Sequence, residues 1–171
     1  MLGKGQTLEF TALIGTDGVN SMVAKALYGR AFNPGKIGFA LEIEAQSTSP
    51  VDESSALRID FDAAAWGYGW QFPKRAGHTI GICGLQACNP DMKAHLTAYP
   101  ERLGQGENAR VKGHFLPFGD FRRKPGRGNI LLVGDAAGLV DPITGEGIAY
   151  ALQSGRMAAL AVHRAISGGH A

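Results

Sequence analysis

The chain has 171 residues, enough for one ordinary domain or slightly more, and its 44% hydrophobic and 19% charged residues exclude a disordered chain. A formal net charge of +2 is too small to point to nucleic acid as a partner. Two cysteines, Cys83 and Cys88, are too few for a disulfide framework and fit a reducing, cytoplasmic compartment; no His/Cys spacing matches a zinc site, so no metal is expected.

The first residues, MLGKGQTLEF, lack the apolar core of a secretion signal, and no segment reaches the ~18 consecutive apolar residues of a membrane span. Leu8 to Ile14 reads as a strand that runs into the turn signal Gly15-Thr16-Asp17-Gly18, and a helix is expected over Met22–Leu27. From Ile37 the period changes to two. Ile37, Phe39, Leu41 and Ile43 alternate with small or charged residues, as do Leu57, Ile59 and Phe61, and Tyr68, Trp70 and Phe72 continue the pattern. Pro73 to Gly77 reads as a hairpin loop and His78 to Cys83 as the returning strand, which gives a four-stranded antiparallel sheet over residues 37–84. A helix follows over Asp91–Leu103, ended or kinked at Pro100. Arg110 to Phe118 is a further strand, and Phe121 to Gly128 a basic, solvated loop.

At Asn129 the pattern switches again. Ile130 to Val133 is continuously apolar, the signature of a parallel strand covered on both faces. The order is therefore α/β, then antiparallel β, then α/β. Residues 1–35 and 119–171 form parts of one layer, interrupted by an inserted antiparallel β domain at 36–118.

The closing segment has the chemistry of a ligand site. Open α/β sheets bind ligands beyond the carboxyl ends of their strands, and Asp135 stands just past one, after a Gly134 that permits a sharp turn. Pro142 stiffens the loop, and Gly145 and Gly147 clear side chains from the start of a helix over Ile148–Ile166. Amide groups and the dipole at such a helix start favour an anion or the electron-rich edge of a ring. Ala149, Ala151, Ser154, Gly155, Ala158 and Ala159 permit close packing of that helix against a neighbour. The aromatic stretch has its own reading: Tyr68, Trp70 and Phe72 share one strand face, whereas Gly67 and Gly69 leave the other bare. Lys74 is placed to reach a phosphate headgroup, or is simply a solvated hairpin lysine. Arg122, Arg123, Lys124 and Arg127 are open to anionic lipid or to solvent alone. His78, His95, His114 and His163 are scattered surface or half-buried residues, and both cysteines are read as buried thiols.

Three stretches carry a resemblance. "LIGTDGVNS" (Leu13–Ser21) and "LLVGDAAGLVDPITGEGI" (Leu131–Ile148) resemble the Asp-Gly and Gly-Asp flavin motifs of the flavoprotein monooxygenase and reductase superfamily. "GYGWQFPK" (Gly67–Lys74) is similar to the Tyr-x-Trp-x-Phe-Pro motif of the geranylgeranyl reductase family, FAD-dependent enzymes that saturate isoprenoid double bonds. The resemblance covers nearly the whole chain and implies FAD as cofactor. Asp135 would contact the ribityl or ribose region, and Gly145, Gly147 and Ile148 the pyrimidine side of the ring, with Gly134 and Pro142 shaping the loop. Asp17 and Gly18 would hold the pyrophosphate region and the local fold. Tyr68, Trp70, Phe72, Pro73 and Lys74 would meet an apolar, isoprenoid or lipid substrate, which would place the protein in the cytoplasm or peripherally at a membrane surface. No catalytic group is named. Flavin-dependent halogenases carry a related motif, so an oxygen-using monooxygenase or halogenase is the alternative, and a non-catalytic apolar-ligand-binding module a second.

The resemblance also implies a strand–Gly-x-Gly-x-x-Gly–helix unit that this sequence lacks; the glycines of Leu2–Thr7 do not replace it. Without that unit FAD should bind several kcal/mol more weakly, at about 1.5–3 kcal/mol for each lost hydrogen bond to a charged group. Sheet edges should also stand open. A truncated product is therefore expected, or a chain completed by a partner or by self-association.

Overall fold

The computed structural model describes residues 5, 7–46, 56–75, 77–103 and 110–168. Among these residues eight strands form two sheets, accompanied by three α-helices. The larger is antiparallel and built from β2 (Gly38–Gln46), β3 (Arg58–Asp60), β4 (Gly67–Lys74), β5 (Gly77–Leu85) and β6 (Lys112–Leu116) in the order β3-β4-β5-β2-β6. The four strands expected over residues 37–84 are present, and the further strand expected at 110–118 joins them as the β6 edge. The β4–β5 hairpin is tighter than expected: Lys74 pairs with Gly77, so Pro73 and Lys74 belong to the strand, and Ala76 lies outside the described residues.

One face of this sheet is closed by α2 (Met92–Arg102). Leu41, Ile43, Ile80 and Ile82 pack there against Met92, Leu96 and Tyr99. Gly67 and Gly69 do not leave that side bare. A Cβ on Gly69 would lie 2.6 Å from the Tyr99 ring, and one on Gly67 would lie within contact of the Cys83 carbonyl. The absent side chains are filled by a helix and a neighbouring strand. Burial drives the Tyr99 hydroxyl pKa upward, and its proton is donated to Asp60 at 2.8 Å. Pro100 does not end α2 at its own position. The bond it forgoes is the one to the Leu96 carbonyl, one turn from the helix end, and the helix runs on to Arg102.

The smaller sheet has the order β1-β8-β7, with β1 (Leu13–Gly15) parallel to β8 (Ile130–Leu132) and β7 (Gly126–Arg127) antiparallel to it. The first strand is much shorter than the expected Leu8–Ile14. Its partner offers only three residues for pairing, and Leu8 and Phe10 are exposed. Its other edge carries no strand among the described residues. α1 (Met22–Tyr28) covers this sheet with Ala24, against Leu132, Ala136 and Ala137. The last helix, α3 (Ile148–Ser167), matches the expected span, yet of its 20 residues Ala158 alone is fully buried. Ile148, Leu152, Met157, Leu160 and Ile166 are exposed. Apolar grooves of about 370 Å³ and 480 Å³ flank it.

The basic loop is not simply solvated. Arg122 lies 4.6 Å over the Tyr28 ring and donates to the carbonyls of Arg30 and Ala31, while Tyr28 donates its hydroxyl to the carbonyls of Lys124 and Gly126. The arginine's planar charge is used to pin the end of α1. Cys83 is buried as expected, but Cys88 is exposed, because it falls in a 3-10 turn after β5 rather than in the sheet. Among the described residues no group of His, Cys, Asp and Glu could hold a metal, and no helix is long and apolar enough to cross a membrane.

Candidate functional site

The parallel strand β8 delivers the chain into a 3-10 turn, Gly134–Ala137, that carries Asp135. Gly134 has φ +55°, a conformation open to glycine, and its amide donates to Ser154 Oγ on α3 at 3.0 Å. That bond ties the turn to the helix. Asp135 then sits beside the helix start: a Cβ built on Gly147 would come within 3.2 Å of Asp135 Oδ1 and 3.1 Å of Val140. Burial raises the Asp135 pKa, and a Coulombic interaction with His114 on β6 opposes that rise. The carboxylate is thus half out of water and draws on few partners of its own, which suits hydroxyl donors from a ligand.

Between Asp135 and α3 the loop is rigid by its own chemistry. Asp141 Oδ1 accepts from the amides of Ile143 and Thr144 and from the Thr144 hydroxyl; these bonds hold its pKa low. The Asp141 amide donates to the Glu146 carbonyl, and the Gly145 amide to the Asp141 carbonyl. Gly145 has φ +71°. Glu146 Oε1 caps the Ala149 amide at 2.9 Å, so one of the helix's leading N–H groups is already satisfied. Beyond that the corner is open to solvent, with Ile148 and Ile143 exposed.

The antiparallel sheet is bonded to this loop at Tyr68. Tyr68 on β4 donates its hydroxyl to the Thr144 carbonyl, across 76 residues of sequence. Desolvation pushes its pKa up to about 12, with Cys83 adding to the effect, so the hydroxyl stays protonated. Gly145 faces the same oxygen, with Leu116 of β6 beside it. Tyr68, Trp70 and Phe72 line up along β4 with ring centroids 5.9 and 6.1 Å apart, on the face opposite α2. Trp70 lies flat against Gly81 of β5, whose bare Cα makes room for it. The expected aromatic wall and the expected cofactor loop therefore adjoin.

Lys74 and Asp17 stand apart from this junction. Lys74, at the hairpin end of the wall, pairs with Glu44 at 3.3 Å, and Glu44 also binds Lys112 at 2.7 Å. Asp17 serves α1: its oxygens accept from the Ser21 hydroxyl and from the amides of Met22 and Val23. Burial would raise its pKa, but the bonds from Ser21, Val23 and Met22 outweigh that and leave it low. The geometry serves the local-fold part of its expected role, with Gly18 turning the chain at φ +71° just before the helix. Pro142 is exposed on the loop. Reading the sequence missed Asp141, which organises that loop, and His114, which acts on Asp135. The alternation of β6 placed His114 on the wall's face, but no local pattern linked it to Asp135.

No family model matches the chain. Geranylgeranyl diphosphate reductase of rice chloroplasts (Oryza sativa subsp. japonica) is 34% identical over 170 residues, 94% of this chain and 35% of the relative. The chain belongs to the geranylgeranyl reductase family. Digeranylgeranylglycerophospholipid reductase of Methanosarcina mazei is 30% identical over 98% of the chain and 43% of its own length. Among solved structures, a geranylgeranyl bacteriochlorophyll reductase-like protein of Thermoplasma acidophilum superposes with a TM-score of 0.80 at 25% identity, over 93% of this chain and 42% of that one. The α/β-plus-antiparallel architecture is thus that of the family's fold, and the chain spans about a third to two-fifths of the length of these relatives.

Proposed function

We propose that this chain forms the flavin-ring and substrate half of an FAD-dependent oxidoreductase that reduces double bonds of an isoprenoid or similar apolar molecule. The observation that carries the reading is the Tyr68 hydroxyl on the Thr144 carbonyl, which joins the aromatic wall to the glycine-cleared helix start. The residues fit a flavin: Gly147 is a cradle that any Cβ would fill, and Asp135 lies beside it as a partly desolvated acceptor. When bound there, reduced FAD would supply hydride. Asp135 would grip the hydroxyls of its sugar-alcohol chain, and the amides at the start of α3 would favour negative charge on the ring. Tyr68 fixes the loop, while Phe72, half-buried beside the buried Trp70, offers a dry edge on which an apolar chain can lie.

Two features support a site completed by further protein, supplied in sequence or by a partner. The relatives are more than twice as long as the matched span, and α3 carries an apolar face that its own chain does not cover. Names of the curated relatives support a reductase over a monooxygenase or halogenase. The test is anaerobic incubation of the protein with dithionite-reduced FAD and a polyprenol. Mass spectrometry should show two hydrogens gained per double bond. Turnover that instead requires oxygen would transfer the protein to the monooxygenase reading.

A further inference from the structure

β3 turns its apolar residue to solvent, and on its other side only Asp60 is partly covered. Its charged residues, Arg58 and Asp60, pair with Gln71 and Gly69, on the side where Asp60 meets Tyr99 of α2. Its central apolar residue, Ile59, pairs with Trp70 and so shares the aromatic face, where it is 49% exposed. Phe61, in the turn that follows, is 73% exposed, and its ring meets Tyr68 edge-on at 6.4 Å. The row of rings is therefore not the three of the Tyr-x-Trp-x-Phe stretch but four. It turns at Tyr68, the ring that touches the Thr144 loop, onto the neighbouring strand.

The turn is held in place. Asn89, 3% exposed, accepts from the Ala65 amide at 2.9 Å and donates to the carbonyls of Ala65 and Leu85 at 2.7 and 2.8 Å. Trp66 at the end of the turn has φ +52°, a strained conformation for a bulky residue, and is 80% exposed. A buried, fully bonded asparagine beneath an exposed apolar turn fixes its shape rather than hiding its side chains. Strain of this kind concentrates at ligand contacts.

We propose that Ile59 and Phe61 are specificity-determining residues that contact the apolar chain of the substrate along the β3 side of the aromatic wall. The inference rests on the function proposed above and deepens it. A chain lying along Phe72, Trp70 and Tyr68 meets the loop at Tyr68 and turns onto Phe61 and Ile59 of the neighbouring strand, so the site takes an isoprenoid long enough to fold back across the sheet. Continuity with the aromatic wall favours this occupant over a second copy of the chain, although β3 is a sheet edge.

The test is a titration of the full chain with a polyprenol of four isoprene units and one of two, below their solubility limits, followed by tryptophan fluorescence. Wild type should bind the longer alcohol at least tenfold more tightly. The variants Phe61→Ser and Ile59→Thr, together, should lose about tenfold on the longer alcohol and under twofold on the shorter, the loss expected for roughly one exposed aromatic contact. Phe61→Leu should restore most of the affinity. A double variant that keeps the wild-type length preference overturns this inference and leaves the proposed function standing. Absence of saturable binding to either alcohol in wild type overturns the function and the inference together. Light scattering that shows wild type as a dimer and the double variant as a monomer would assign β3 to a contact between copies and also overturn the inference.

Discussion

The two layers of this molecule differ in how completely they bury what they own. The antiparallel sheet closes one face under α2, with Ile80 and Ile82 at 0% exposure and Tyr99 at 2%. The parallel layer does not close. Its strands have three residues each along the β1–β8 ladder, and α3 turns Leu152, at 72% exposure, and Ile148, at 74%, to solvent. Such a helix has the apolar face of a core element without the core. The contrast places most of the closed core in the sheet, whereas the proposed flavin corner lies at the junction with the layer that is left open.

Breaking the sheet should have the largest effect. Gly69→Val drives a side chain into the Tyr99 ring and Ala63, which sit 2.6 and 2.7 Å from where its Cβ must go. Overpacking of this kind costs about 1–3 kcal/mol, and denaturant unfolding should register the upper end of that range because both neighbours belong to the closed core. A smaller loss is expected in the parallel layer from Asp17→Ala, about 1 kcal/mol for a helix start deprived of its acceptor. The same carboxylate gives that layer a pH signature. Its folded pKa lies below the ordinary value of 3.8, so its contribution is present above that pH and is lost as the pH falls through the folded value. Acid unfolding monitored below about pH 4 should therefore show a step in wild type that Asp17→Asn lacks. The smallest effect belongs to α3: Leu152→Gln should change stability by no more than about 0.5 kcal/mol. If it destabilised the chain as Gly69→Val does, α3 would be a core helix and the contrast between the layers would fail.

Much of the fold was legible because the sequence states its period. Alternation over Ile37–Ile43 and Tyr68–Phe72 gave the antiparallel strands, and the apolar run Ile130–Val133 gave the parallel one. The site was legible in pieces for the same reason: Gly134-Asp135 and Gly145-Glu146-Gly147 are local turn chemistry. What was hidden depends on contacts distant in sequence. Nothing near Tyr68 announces that its hydroxyl reaches Thr144, and nothing near His114 announces Asp135. Leu57, Ile59 and Phe61 show the limit of alternation. The pattern identifies a strand correctly and says which residues share a face, but it assumes that the apolar face is the buried one. Here Tyr99 offers a hydroxyl to Asp60, so the side that carries Arg58 and Asp60 faces α2, with Asp60 partly covered and Arg58 exposed, and the apolar side is exposed as well. The length of Leu8–Ile14 was overread because a strand persists only as far as its partner does.

The central claim is that this chain grips the ring and sugar-alcohol part of a flavin through Asp135 and the start of α3. Titration of FMN and of FAD with the protein, followed by flavin fluorescence, tests it most directly. The account predicts weak, saturable quenching with similar affinity for both, because nothing in the described site addresses the adenosine, and loss of that quenching in Asp135→Ala. Binding of either flavin that survives Asp135→Ala unchanged, or a wild type that quenches neither, would contradict it.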